Sequence, residues 1–307
     1  MSPSPARGRA GGKVILLGEH AVVYGRPAVA SGVPLALEAE AARGAGPALE
    51  GDLPDDPRGQ ALVAEAARAL GLRAGDWVVR VRSEIPPGQG LGSSAALCVA
   101  TLRALAAAAD PPVHVADELT LARGLEGIFH GTPSGIDPAA SALGSTFRFV
   151  RGDPPSIEPI ALGAPVTLVL ALDAAPRSTG SAVGGLRARW QADRPRYERL
   201  FDAVAEVVEA GAAALRRGDL AALGLALDRN QELLEALGVS SPEIARRVEA
   251  ARAAGALGAK LTGGGAGGAV LALVREVHAD ALARVLAADG SRTIQVALAG
   301  PPPAKVS

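Results

Sequence analysis

The stretch Pro86-Pro87-Gly88-Gln89-Gly90-Leu91-Gly92-Ser93-Ser94-Ala95-Ala96 decides how this chain is read. Glycines alternate at positions 88, 90 and 92, and two serines lead into the apolar run Ala95-Ala96-Leu97-Cys98-Val99-Ala100. Glycine lets backbone N–H groups turn inward and lets an oxyanion approach closely. A helix starting at once adds its free N–H groups and the positive end of its dipole. Ser93 or Ser94 either caps that helix or reaches a cation beside a phosphate. The loop lacks the Gly-Lys-Ser/Thr ending of a Walker A motif, and its G-x-G-x-G spacing after Pro-Pro departs from the dinucleotide fingerprint. It reads as a phosphate-binding loop, with a Gly-rich turn feeding a serine-capped helix as the plainer alternative.

At 307 residues with 49% apolar side chains, the chain can build two domains or one large one. Its net charge is −1 and no basic run interleaves with aromatics, which argues against a nucleic-acid partner. Cys98 is the one cysteine, so there is no internal disulfide, and no Cys/His cluster suggests zinc. The apolar run Val14 to Leu17 stops at Gly18-Glu19-His20, too short for a signal peptide. The longest apolar stretch, Ala95 to Ala109, is broken by Arg103 and too short to span a bilayer. The expectation is a cytoplasmic protein with no membrane partner. Of 31 basic residues only three are lysines, Lys13, Lys260 and Lys305. Lys13 and Lys260 adjoin Gly-rich or charged motifs, where a compact point charge does what arginine cannot.

Outward from the loop, strands are expected at 13–17, 27–40, 77–83, 146–150, 166–172, 269–274 and 293–299. Helices are expected at 57–71, 93–109, 116–130 and 276–289, with a short one opened by Asp137 as N-cap and Pro138 at N1. Residues 184–255 read as mostly helical, broken near Gly218-Asp219 and Gly238 to Pro242. Strands and helices interleave without regular βαβ alternation, which predicts an α+β fold. The turn to helix-rich sequence suggests domains at 1–180 and 181–307.

Four further segments suggest phosphoryl transfer, which needs a phosphate loop, metal ligands, a positive charge and a carboxylate near the acceptor hydroxyl. Gly12 to Gly25 carries Lys13 at the start of an apolar strand and delivers Glu19 and His20 in the turn after it. Glu126 falls with Leu119, Ala122 and Phe129 on an apolar stripe, so it is either ion-paired or holds a cation. Asp137 sits in the constrained turn Pro133-Ser134-Gly135-Ile136-Asp137-Pro138, suited to an N-cap or to a base held at fixed geometry. Lys260-Leu261-Thr262 opens a second Gly-rich stretch, Gly263 to Gly268, a backbone-donor loop or a linker.

Taken in order, Gly12–Gly25, Pro86–Ala96 and Lys260–Gly268 resemble the three motifs of the GHMP kinases (galactokinases, homoserine kinases, mevalonate kinases and phosphomevalonate kinases). The string Gly18-Glu19-His20-Ala21-Val22-Val23-Tyr24-Gly25 resembles the mevalonate-phosphorylating branch, as do Leu125 to Asp137 and Arg177-Ser178-Thr179. The resemblance covers nearly the whole chain. It implies an α+β, two-domain fold, the first domain like domain 2 of ribosomal protein S5 and the second ferredoxin-like. It implies ATP-dependent phosphorylation of the 5-hydroxyl of mevalonate. Gly88, Gln89, Gly90, Leu91, Gly92, Ser93 and Ser94 would hold the ATP phosphates, with Ser83 and Lys13 also near the nucleotide. Ser94 and Glu126 would bind Mg²⁺, Asp137 and Lys13 would be catalytic, and Glu19, His20 and Thr179 would face mevalonate. Family members are often homodimers. Two departures stand out: Ala10-Gly11-Gly12 replaces the usual Ala-Pro-Gly, and Gly180 stands where a basic residue commonly follows Arg-Ser-Thr. The alternatives are another small-molecule kinase of the same family and a catalytically silent sensor of ATP and metabolite.

Overall fold

Apolar periodicity resolves into strands and helices along a computed structural model that describes residues 6–52, 56–130, 133–173, 180–265 and 269–300. The chain divides into two compact units that interleave in sequence: 1–13, 34–87 and 91–144 form one, and 14–33, 88–90 and 145–307 the other. The composition change near 180 does not coincide with this division. The reason is a buried strand at 167–172 that lies inside the second unit's sheet, so the helix-rich stretch begins well after that unit does.

The first unit holds most of β1 (Ala6–Leu17), the second half of β2 (Ala28–Arg43), β3 (Ala48–Gly51), α1 (Pro57–Ala69), β4 (Trp77–Ser83), α2 (Ser93–Ala108), α3 (Glu118–Glu126) and α4 (Ile136–Leu143). Leu37 to Arg43 of β2 pair antiparallel with β4, and β3 adds to β4 in parallel. Nearly every side chain of α2 from Ala95 to Ala106 is buried, which explains its lack of a polar face. Its one charged residue, Arg103, reaches Glu118 at 2.6 Å and the Arg9 and Ala142 carbonyls at 2.7 and 3.1 Å.

The second unit takes the start of β2, whose Ala28 to Ser31 pair antiparallel with β5 (Thr146–Val150), and β6 (Ser156–Pro159) pairs with β5. It continues through β7 (Thr167–Leu172), α5 (Gly180–Ala192), α6 (Arg194–Arg217), α7 (Leu220–Ala236), α8 (Pro242–Ala253), β8 (Gly258–Thr262), β9 (Ala269–Val274), α9 (Ala279–Ala287) and β10 (Arg292–Ala297). An antiparallel sheet runs β10-β7-β9-β8. Every residue of β9 is buried, as its unbroken apolar sequence requires. Helices α7 and α8 pack on β8, and α9 packs on β7 and β10. One mixed and one antiparallel sheet, with helices in both units, make the fold α+β.

Most elements lie where periodicity put them. The differences have local causes. β1 starts at Ala6, ahead of 13, because Ala, Gly and Arg carry no alternation to read. The helix expected over 116–130 ends at Glu126. Strands β3, β6 and β8 were not foreseen; β8, Gly258-Ala-Lys-Leu-Thr262, is short and holds a lysine, yet all five residues are buried.

Strand β8 and helix α7 approach backbone to backbone. A Cβ on Gly224 would lie 2.0 Å from the Leu257 carbonyl oxygen. Gly224→Ala is therefore expected to destabilise the protein by about 1–3 kcal/mol. Gly124→Ala, in α3 with open space around it, should stabilise it by about 0.5–1 kcal/mol. Urea midpoints of the two variants check this, and effects of the same sign would contradict the close approach.

Candidate active site

In the first unit β1, the end of the Gly-rich loop and three helices bring five polar side chains together. Along the loop, Gly88, Gly90 and Gly92 all have positive φ, at 69°, 78° and 79°, the left-handed conformation that favours glycine. Gly92 is the N-cap of α2, without a side-chain cap bond, and Ser93 and Ser94 are its first helical residues. The serine-cap expectation is thus corrected: the left-handed glycine turns the chain into the helix and leaves the Ser94 hydroxyl for His130 Nε2, 3.1 Å away. A Cβ on Gly92 would sit 2.5 Å from Lys13 Cγ, so glycine lets the lysine stem pass. The Lys13 N–H donates to the Leu91 carbonyl at 2.9 Å, tying the strand to the loop.

Lys13 is 3% exposed, and its Nζ lies 3.0 Å from Asp137 Oδ1. Asp137 is not an N-cap: Gly135, with φ 90°, caps α4 and places Asp137 in the first turn. Its carboxylate is therefore directed by the helix rather than spent on a cap bond. Glu126, on the last turn of α3, is 2% exposed. Burial first and the Asp137 charge second push its pKa up to about 8, against the opposing pull of Lys13. His130 is pushed below its ordinary value chiefly by burial. Ser83 spends its hydroxyl locally, donating to the Ile85 carbonyl at 3.1 Å.

The second unit holds the Glu19–His20 turn. Gly18 has φ 96°, and a Cβ there would meet the Pro27 oxygen and Ala28 Cα at 2.6 Å. His20 has φ 63° and ψ −49°, and the Ala21 N–H donates to the Glu19 carbonyl at 2.7 Å. That is a γ-turn with a histidine at its strained centre. Among described residues His20 is the only non-glycine with positive φ. Both side chains are buried: Glu19 pairs with Lys260 of β8, and His20 is 7% exposed. Burial, then the charges of Lys260 and Arg189, lower the His20 pKa to about 4, so the imidazole is neutral near pH 7. Downstream, Tyr24 stacks on Phe201 at 4.3 Å and tilts against Trp190 at 5.1 Å. Gly90 lies beside the second Gly-rich loop, 3.7 Å separating its added Cβ from Gly263 Cα.

Residues 61–145 match the model of the GHMP kinases N terminal domain, and residues 212–292 that of the GHMP kinases C terminal. The chain belongs to the GHMP kinases. The mevalonate kinase of Aeropyrum pernix is 34% identical over 88% of this chain and 89% of its own. That of Pyrococcus horikoshii is 34% identical over 85% and 86%. The crystal structure of L. major mevalonate kinase in complex with R-mevalonate matches with a TM-score of 0.83, at 28% identity over 96% of both chains.

This GHMP kinase brings Lys13, Asp137, Glu126 and Ser94 into one cluster and Glu19 with His20 into one turn. Thr179 and the loop residues Ala266 to Gly268 lie outside the described residues. Reasoning from sequence missed Asn230 and Gln231 of α7. The Asn230 side-chain oxygen accepts from the Gly18 N–H at 3.1 Å, and that of Gln231 from the Leu261 N–H at 2.9 Å. Their signal was available: two amides among Leu223, Leu227 and Leu234 on a helix face that is otherwise apolar. His130, four residues beyond Glu126, was not singled out either, and it meets Ser94. The cluster also suits a divalent cation. A buried glutamate raised to about 8 beside a second carboxylate marks a place that favours positive charge. Among described residues no group of three His, Cys, Asp or Glu is arranged to hold a metal ion by itself. Mg²⁺ takes one or two carboxylates and leaves other positions to water and phosphate, a donor set that Ser94 and Glu126 fit.

The His20 shift fixes a pH dependence. Between pH 6.5 and about 4 the unfolded chain binds a proton that the folded chain refuses. Stability tied to His20 is therefore full above pH 6.5 and declines as pH falls towards 4, by about 3 kcal/mol at most. His20→Asn, which tolerates positive φ, should flatten the drop in urea midpoint between pH 7 and pH 4.5; an unchanged slope would exclude His20 as its source.

Proposed function

We propose that this chain transfers the γ-phosphoryl group of ATP to the 5-hydroxyl of mevalonate, giving 5-phosphomevalonate and ADP. The observation that carries the chemistry is the buried Lys13–Asp137 pair beside Glu126. The acceptor follows from the mevalonate kinases that match across most of the chain.

In this reading the N–H groups of Gly88 to Ser94 and the start of α2 receive the ATP phosphates. Ser94 and Glu126 would hold Mg²⁺, which neutralises charge on the β- and γ-phosphates. Lys13 sits against Asp137 and balances charge at the transferred group. Asp137 orients the acceptor hydroxyl and takes its proton as the oxygen–phosphorus bond forms and the bond to the ADP oxygen breaks. A loose transition state asks little base strength of it. Glu19 and a neutral His20 face mevalonate, where the imidazole serves as a hydrogen-bonding group and not as a cation. Thr179 is assigned to the same substrate and Ser83 to the nucleotide's surroundings. The reading assigns the enzyme to the cytoplasm, where ATP is available, and allows a homodimer. Among described residues no helix is long and apolar enough to cross a membrane.

ADP release with ATP and Mg²⁺ should be seen with mevalonate and not with phosphomevalonate, homoserine or galactose. Turnover on one of the latter would replace the acceptor. Asp137→Asn should lower kcat by about 10²–10⁴-fold with ATP affinity little changed. Glu126→Gln should abolish the response to Mg²⁺ while leaving the metal-free protein as stable or more so. A fully active Asp137→Asn enzyme would remove Asp137 from its role.

A further inference from the structure

Lys260 is not used by the mechanism above, yet it is 0% exposed in the middle of β8, its neighbours in the strand apolar or small. Its ammonium donates to the Glu19 carboxylate and to the Leu261 carbonyl. Burial pulls its pKa down, and Glu19 opposes that pull. A buried ion pair is a poor stability device, because a well-packed apolar pair of similar volume is often as stable or more so. The pair must therefore be explained by what it holds in place.

What it holds is the strained turn at His20. Two buried contacts reach that turn from the C-terminal part of the second unit, and two more brace the strands that carry them. Lys260 grips Glu19, and Asn230 takes the Gly18 N–H at 3.1 Å. The Thr262 hydroxyl donates to the Ile15 carbonyl at 3.0 Å. Gln231 takes the Leu261 N–H at 2.9 Å and so fixes the strand that bears Lys260. The charges facing His20 are Lys260 from β8 and Arg189 from α5. A γ-turn with a non-glycine central residue at positive φ is strained and persists only where its surroundings over-determine it. Lys260 supplies a charged contact of that surrounding, at the Glu19 side chain itself.

We infer that Lys260 is a positioning residue for the acceptor: by clamping the Glu19 carboxylate it sets the direction of that carboxylate and keeps His20 in its turn. The role rests on the assignment of Glu19 and His20 to mevalonate. Lysine is required because a compact ammonium fits between a carboxylate and a carbonyl in a dry strand, where a guanidinium is too broad.

The test is Lys260→Met, with Glu19→Gln and the double variant beside it. Amide exchange of Ala21 in the substrate-free protein reads the turn directly. It should accelerate about tenfold or more in Lys260→Met, while amides of β7 and β9 keep wild-type rates. The KM for mevalonate should rise tenfold or more with the KM for ATP within twofold. Adding Lys260→Met to Glu19→Gln should change kcat/KM less than threefold, because the lysine acts through the carboxylate. If Lys260→Met alone does not fold, the double variant lacks the unpaired buried charge, and its comparison with Glu19→Gln decides. A folded Lys260→Met protein with wild-type Ala21 exchange and wild-type KM overturns the inference. So does a double variant tenfold below Glu19→Gln. A wild type inactive on mevalonate counts against the function proposed above, while Ala21 exchange still decides the role of Lys260.

Discussion

A lysine buried to 3% exposure beside a carboxylate is the constraint on which the first unit depends. Removing an ammonium from water costs several kcal/mol, and Asp137 at 3.0 Å offsets that cost only if both groups are held still. The surrounding structure supplies the stillness. Gly92 admits the lysine stem, the Lys13 N–H ties to Leu91, and Gly135 turns α4 so that Asp137 emerges in its first turn. Glu126 then lies in the field of one acidic group, Asp137, and one basic group, Lys13. Its raised pKa comes from burial first and the Asp137 charge second, with Lys13 pulling the other way.

The second unit repeats the logic with different residues. Lys260 and Glu19 are both buried, and the amides of Asn230 and Gln231 fix the backbone on either side. The outcome is a neutral histidine held at a backbone angle that L-residues rarely adopt. Strain stored at one residue, with a rigid polar network around it, is the arrangement expected where a side chain must meet a ligand at fixed geometry. Stability is spent on shape here.

Much of the site was legible in the chain. The alternating glycines before a helix were legible because glycine takes left-handed angles most readily, and all three adopt them. The scarcity of lysine drew attention to Lys13 and Lys260, and both are buried in ion pairs. Local capping misled where two solutions compete for one helix start. A glycine in the left-handed region displaced Ser93 and Ser94 at α2 and Asp137 at α4. Strand β8 escaped notice because five residues with one lysine carry no period to read, and its burial is imposed by the helices above it.

By itself the sequence determined the α+β class, the order of most elements, the Gly-rich loop before α2 and the side chains there able to carry charge or a proton. These follow from short-range causes: side-chain periodicity, glycine's freedom at positive φ, and which groups can carry charge or a proton. Only the tertiary structure decided the pairings. Lys13 with Asp137, Lys260 with Glu19, and Asn230 with Gly18 join residues far apart along the chain. The pKa shifts at Glu126 and His20 were decided there too. Both depend on burial and on charges brought near by folding, and neither quantity exists until the chain has closed around them.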